Sequence, residues 1–157
     1  MSKISPGQKA PPFSAPATGG QTVALTQFEG EKHVVLYFYP KDSTPGCTKE
    51  GEAFRDHFDE FKQLDTVILG VSRDSLKRHE NFKAKYEFPF ELLADENESL
   101  CQLFDVIKLK KNYGREYMGI ERSTFLIDKA GILRQEWRKV KVKGHVSEVL
   151  EAVKALN

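Results

Sequence analysis

The sequence predicts an α/β fold in which a mixed central sheet carries helices on both faces. Apolar runs of strand length alternate with segments of helical period, and two late strands are joined by a tight turn. No apolar run is long enough to span a membrane. The 157 residues carry a formal net charge of +1. This length predicts one domain over residues 1–157, and the balanced charge disfavours a nucleic-acid partner.

The first predicted elements surround a strongly apolar strand. Residues 22–25 follow a Gly-Gly pair and are typical of a short strand or hairpin. Residues 33–39 form a continuous β-branched and aromatic run, which predicts a central strand buried on both faces. A helix is predicted from about Pro45 because apolar residues then recur at helical spacing. These residues are Phe54, Phe58, Phe61 and Leu64.

The same alternation predicts the rest of the chain. Strands are expected at residues 66–71 and 88–93, and helices at residues 75–86 and 98–104. Ser123–Ile127 and residues 132–138 flank a DKAG turn, which predicts an antiparallel hairpin. The final helix has an apolar face formed by Val146, Val149, Leu150, Val153 and Leu156.

The two cysteines, Cys47 and Cys101, are too few for a disulfide framework. The N-terminal residues lack the apolar core of a secretion signal, so we expect a cytoplasmic protein. Thiols stay reduced in that compartment. An important cysteine here would therefore act through its own chemistry.

Cys47 lies in the first turn of a predicted helix that directly follows a predicted central strand. The free N–H groups and the dipole at such a helix start favour a thiolate over a thiol. Thr44 can direct a hydroxyl towards the same space, and Gly46 is expected to leave the sulfur accessible. Cys47 could instead be a small buried apolar residue. Its surroundings favour a nucleophile.

Pro40, Thr44 and Cys47 fit the pattern PxxxTxxC, which resembles the active-site signature of the peroxiredoxins. TPGCT followed by Glu50 is similar to the Q-type branch, also called bacterioferritin comigratory proteins. APPF near Pro11, FPFELLAD and IERSTFLID extend this resemblance over nearly the whole chain. It implies a thioredoxin-like fold and a thiol-dependent peroxidase that reduces hydrogen peroxide and small organic hydroperoxides. Cys47 would become a sulfenic acid.

The resemblance also implies roles for residues around Cys47. Thr44 would hold the peroxide through its hydroxyl, and Pro40 would shield the pocket from solvent. Arg122 would favour the thiolate and stabilise the departing oxygen; only the resemblance distinguishes it from the other arginines. Glu50 either orients Arg122 or is a first-turn carboxylate that the helix dipole favours.

The resemblance further suggests how the sulfenic acid is reduced. Many Q-type relatives carry a resolving cysteine at one of two positions, which are Glu52 and Lys83 here. Cys101 lies in the apolar sequence LCQLF and is typical of a buried core thiol, the alternative being a resolving thiol. We therefore expect a one-cysteine mechanism. Its reductant would be an external thiol, such as thioredoxin or a glutathione and glutaredoxin pair. A monomer is also expected, because the resemblance is to a branch whose members are mostly monomers and the sequence shows no obvious interface.

No metal or cofactor is expected. The histidines lack metal-ligand spacing and are interpreted as surface or edge residues: His33, His57, His79 and His145. The sequence has no P-loop or GxGxxG motif, and the basic residues 108–115 are interpreted as a solvated face. Two alternative functions stay open. One is a thioredoxin-type disulfide oxidoreductase, although Glu50 stands where CxxC needs a cysteine; the other is a non-catalytic interaction module.

Overall fold

The computed structural model describes residues 4–156, whose strands form a seven-stranded sheet and a separate two-stranded sheet. The strands are β1 (Ser14–Ala17), β2 (Gln21–Ala24), β3 (His33–Phe38), β4 (Thr66–Ser72), β5 (Glu91–Ala94), β6 (Ile107–Asn112), β7 (Arg115–Ile120), β8 (Ser123–Ile127) and β9 (Leu133–Trp137). The α-helices are α1 (Pro45–Asp56), α2 (Phe58–Gln63), α3 (Leu76–Tyr86), α4 (Ser99–Leu103) and α5 (His145–Lys154).

The larger sheet is mixed, as the sequence predicts. Its strand order is β2-β1-β5-β4-β3-β8-β9. Strands β3, β4 and β5 are parallel, and the other neighbouring strands pair antiparallel. Every residue of β3 is buried, which confirms the predicted central strand.

Side chains of β3 alternate between two apolar cores on opposite faces of the sheet. Leu36 and Phe38 belong to one core, which also contains α4 residues. Tyr37 belongs to the other core, against which α1, α2, α3 and α5 pack. On that side the Phe54 ring of α1 stacks on Tyr37 with 4.6 Å between ring centroids. The predicted arrangement of helices on both faces is therefore confirmed.

The helix predicted from Pro45 through Leu64 is wrong as one continuous element. It is interrupted at His57, whose φ of −103° and ψ of 9° are not helical. The His57 carbonyl then accepts the N–H groups of Glu60 and Phe61, which starts α2. Phe61 of α2 is buried in the core, with 6.0 Å between its ring centroid and that of Phe54. Both helices present aromatic residues to one core, so apolar spacing alone did not reveal the break.

The basic residues 108–115, which the sequence predicts as a solvated face, lie in the hairpin β6–β7, which the sequence does not predict as an element. Its turn contains Tyr113 and Gly114, both with positive φ. Most of its side chains are exposed or half-buried, so the sequence lacks the apolar alternation of a buried strand. The structure also forms β1, which contains Pro16 and which the sequence did not predict, beside β2. Within residues 4–156, no helix combines the length and apolar character needed to cross a membrane.

Candidate active site

Cys47 lies in the first turn of α1, beyond the end of central strand β3. Thr44 is the residue before the helix, and Pro45 begins it with the fixed φ that suits a first helical position. The Cys47 side chain points into the core and is only 2% exposed. The expectation of an accessible sulfur is therefore wrong. The reason is that Arg122 fills the space beside Gly46, where a Cβ atom would lie 3.2 Å from Nη2.

Arg122 joins Cys47 to Glu50. Its Nη2 donates to Cys47 Sγ at 3.5 Å, and its Nη1 donates to Glu50 Oε1 at 2.6 Å. Arg122 immediately precedes β8, which pairs with β3 and so brings it beside the start of α1. The pairing of strands far apart in sequence thus places a guanidinium against the sulfur. The resemblance predicted a role for Arg122 beside Cys47, whereas the local sequence did not distinguish Arg122 from the other arginines.

Glu50 is completely buried, and its charge is only partly compensated. Burial raises the pKa of Glu50 from 4.5 to about 7, although the charge and hydrogen bond of Arg122 act in the opposite direction. Among the residues that the structure describes, Glu50 Oε2 has no hydrogen-bond partner. Burial disfavours the Arg122 cation, but the charges of Glu50 and Cys47 outweigh this and raise the pKa of Arg122. The site therefore holds Arg122 as a cation beside Glu50, a carboxyl group whose pKa lies near neutrality.

Thr44 and Pro40 are half-buried at the entrance to this site. The Thr44 hydroxyl donates to the Lys41 carbonyl at 2.8 Å. Its proton is therefore committed, and its oxygen remains as an acceptor for the O–H of a bound hydroperoxide. Ser43, just before Thr44, has a φ of 67°, a conformation that costs a residue other than glycine about 1 kcal/mol. The loop that carries Thr44 is thus strained and must be held by its neighbours.

Cys101 lies on the other side of the sheet. It is 0% exposed and belongs to the core that contains Leu36, whereas Cys47 belongs to the core that contains Tyr37. Burial and the neighbouring Asp95 raise the pKa of the Cys101 thiol far above its usual value. Both cysteines are free. Cys101 is therefore neither close to Cys47 nor easily converted to a nucleophile.

Two residues near the site were not found from sequence. Burial, followed by the charge of Glu50, raises the pKa of Tyr37 well above 10, so its hydroxyl stays protonated beside the site. Lys110, on β6, is close enough to Arg122 for burial and that charge to lower its pKa. A hydroxyl within the otherwise apolar β3 is a weak signal for Tyr37. No local signal marks Lys110, because its position depends on the β6–β7 hairpin.

Three of the histidines are buried, so their interpretation as surface or edge residues is wrong: His33, His79 and His145. Polar partners make such burial possible; His145 Nε2, for example, lies 2.8 Å from Thr124 Oγ1. Asp42, Asp74 and His79 bring possible metal-ligating atoms within 4.8 Å of one another. Several of these atoms are already engaged in hydrogen bonds within the protein, such as the one between His79 Nδ1 and Asp42 Oδ2.

Comparison with known proteins identifies the family of this chain. Residues 6–136 match the AhpC/TSA family. The chain belongs to the AhpC/TSA family. As a member of this family it is a peroxiredoxin, an enzyme that reduces peroxides with a thiol, as the sequence resemblance implied.

Relatives of this peroxiredoxin cover almost the whole chain. Peroxiredoxin Bcp of Bacillus subtilis is 56% identical over 154 residues, which are 98% of each chain. The structure of a Xylella fastidiosa PrxQ mutant has a TM-score of 0.92 and 42% identity, and the match covers 99% of this chain and 98% of that one. These matches confirm the expected peroxiredoxin fold.

A third relative carries information on activity. The Xanthomonas campestris bacterioferritin comigratory protein, studied for its alkyl peroxide reduction activity, is 51% identical with a TM-score of 0.86. The match covers 91% of this peroxiredoxin and 90% of that chain.

Proposed function

We propose that Cys47 is the peroxidatic residue of a one-cysteine enzyme that reduces hydrogen peroxide and small organic hydroperoxides. The contact between Arg122 Nη2 and Cys47 Sγ carries this proposal. A fixed guanidinium and the N–H groups of a helix start both favour the thiolate, which is the reactive form of cysteine. The alkyl peroxide reduction activity of the Xanthomonas campestris relative supports the inclusion of organic hydroperoxides.

In the first half-reaction, the Cys47 thiolate attacks the terminal oxygen of ROOH. An S–O bond forms, the O–O bond breaks, and RO⁻ departs and takes up a proton to become ROH. Sulfur is oxidised to the sulfenic acid, and the peroxide is reduced. Negative charge moves from sulfur to the leaving oxygen during this step. Arg122 lies where it can stabilise both ends of that transfer.

Thr44 and Pro40 position and shield the substrate. The Thr44 oxygen accepts the peroxide O–H because its own proton is donated to the Lys41 carbonyl. Pro40 is half-buried beside the loop and limits the entry of water. Glu50 orients Arg122 through the 2.6 Å ion pair, which favours that role over a simple interaction with the helix dipole. Gly46 leaves the space that the guanidinium needs.

The second half-reaction requires a thiol from another molecule. A Cys47–Cys101 disulfide is disfavoured because the two side chains lie in cores on opposite faces of the sheet. An external thiol therefore attacks the sulfenic sulfur and releases water, and a second thiol then reduces the mixed disulfide. Thioredoxin and a glutathione and glutaredoxin pair are the candidate reductants. Since Cys47 is 2% exposed, the loop before α1 must move for this attack.

The same mechanism bears on compartment and assembly. Turnover needs a supply of reduced thiols, which supports a cytoplasmic location.

The exposed large apolar side chains of the described residues all lie on the β6–β7 hairpin: Leu109, Tyr113, Tyr117 and Met118. So small a group falls short of an obligate interface, which supports a monomer. Apolar cores on both faces of one sheet support a single domain.

A peroxide-consumption assay tests the proposal. Reduced protein is mixed with hydrogen peroxide or cumene hydroperoxide, and each candidate reductant is supplied in turn. We expect turnover with both peroxides, complete loss in Cys47→Ser, and retention in the matched variant Cys101→Ser. Loss of turnover in a folded Cys101→Ser protein would instead assign the resolving step to Cys101. Turnover that survives in Cys47→Ser would overturn the proposal.

A further inference from the structure

A buried polar network outside the reacting atoms holds the loop that leads to Cys47. His79, on α3, is 0% exposed, and its Nδ1 lies 2.7 Å from Asp42 Oδ2. The other oxygen of Asp42 accepts the Tyr39 hydroxyl at 2.5 Å. The backbone N–H of Asp42 donates to Asp74 Oδ2 at 2.8 Å. Asp42 is therefore bound through its side chain and its main chain, and it lies two residues before Thr44.

The ring of His79 has a polar partner at each nitrogen. Nε2 lies 2.8 Å from the carbonyl oxygen of Leu93, which can only accept, so Nε2 carries a proton. Nδ1 faces a carboxylate that also receives the Tyr39 hydroxyl. Burial and Asp42 raise the pKa of Tyr39, so that hydroxyl remains a donor. The ring is therefore held at both nitrogens, by the Leu93 carbonyl and by the Asp42 carboxyl group.

This network acts on the strained part of the loop. Ser43, directly after Asp42, has a φ of 67°. Such a conformation persists only where surrounding contacts hold it. Asp42 is held by Tyr39 just after β3, by His79 on α3 and by Asp74 in the loop after β4. The direction in which Thr44 leaves this turn sets where its hydroxyl meets the peroxide and where α1 begins.

We propose that His79 is a positioning residue of the peroxidase, which through Asp42 fixes the 40–44 loop in the conformation that reduces peroxide. This inference rests on the proposed role of Cys47. With the His79–Asp42 contact in place, Thr44 and the start of α1 are organised for attack on the peroxide. When the His79–Asp42 contact is lost, the loop relaxes from the strained turn. The buried sulfur then becomes easier for an external thiol to reach.

The two half-reactions should therefore respond differently to the loss of His79. His79→Gln removes the ring that bridges Asp42 and Leu93 while it keeps a polar side chain. We expect sulfenic acid formation with hydrogen peroxide to slow by about tenfold to a hundredfold, the scale on which small misplacements act. Reduction of preformed sulfenic acid by dithiothreitol should be unchanged or faster. A general loss of structure would slow both steps, so this split separates positioning from destabilisation.

Single-turnover mixing followed by intact-mass analysis measures both rates. His57→Gln is the matched control, because it makes the same change at a half-exposed histidine that contacts Glu60. Failure of wild type and control to oxidise at Cys47 would refute the proposed function. Suppose that wild type and His57→Gln oxidise normally at Cys47. If His79→Gln then forms sulfenic acid as fast as the wild type, the positioning role alone is overturned. Parallel slowing of both half-reactions in His79→Gln would also overturn it.

A measurement on the unmodified protein does not depend on how the variant folds. Nitrogen-15 NMR of the histidine rings reports which nitrogens carry protons. We expect His79 Nε2 to carry a proton, because it faces the Leu93 carbonyl oxygen. A His79 ring without a proton on Nε2 would contradict the hydrogen bond to Leu93 and overturn the proposed arrangement.

Discussion

Folding of this peroxiredoxin is coupled to proton uptake at Glu50. The pKa of this carboxyl rises from 4.5 to about 7 because it is buried. Between these two pH values the folded chain holds a proton that the unfolded chain releases. The difference between the two pKa values corresponds to about 3 kcal/mol, since each tenfold change in proton affinity is worth about 1.4 kcal/mol. This contribution is fully present below about pH 4.5 and is lost as the pH rises through about 7.

Glu50→Gln removes the titration and keeps the shape of the side chain. Urea unfolding of both proteins between pH 4.5 and 8 gives the difference in their free energies of unfolding, in which other titrating groups cancel. We expect the wild type to lose about 3 kcal/mol relative to the variant across this range. A constant difference would refute the reasoning. A difference that grows in favour of the wild type with rising pH would show that the Arg122 ion pair outweighs burial.

Three further predictions concern the packing and charge around α1 and α5. Gly46→Ala places a Cβ atom 3.2 Å from Arg122 Nη2 and should slow sulfenic acid formation by about tenfold in a folded protein, as measured by stopped flow. Gly51→Ala places a Cβ atom in a clash with the Phe88 ring and should cost about 1–3 kcal/mol in urea unfolding; an unchanged midpoint would contradict this contact. Burial lowers the pKa of His145 from 6.5 to about 4, so the unfolded chain takes up a proton first as the pH falls. The wild type should then lose about 3 kcal/mol relative to His145→Gln between pH 6.5 and 4, and equal acid sensitivity would rule this out.

Sequence reasoning succeeded where a local pattern reflects burial. The continuous apolar run of β3 follows from burial on both faces, and the boundaries of β8 match those predicted because a tight turn follows it. The β6–β7 hairpin escaped detection because its strands are largely solvated and lack an apolar stripe. The burial of three histidines depends on partners far along the chain, such as Leu93 for His79. Local composition does not report such partners.

In the candidate site, too, the local sequence revealed residues that are neighbours in the chain but not their distant partners. Cys47, Thr44 and Gly46 could be identified from the sequence because they adjoin the start of one helix. Arg122 is 75 positions from Cys47 and reaches it only through the pairing of β3 with β8. Local sequence did not distinguish it, and the resemblance did. The burial of the Cys47 sulfur also depends on its long-range contact with Arg122.

Cys47 alone should be oxidised by the peroxide, and no other residue should share that oxidation. Intact mass of the reduced protein after one equivalent of hydrogen peroxide, with a sulfenic-acid trap in a parallel sample, tests it most directly. We predict a gain of one oxygen that is trappable, absent in Cys47→Ser and retained in Cys101→Ser. A loss of two hydrogens without trapping, or a trappable oxygen that persists in Cys47→Ser, would contradict the account.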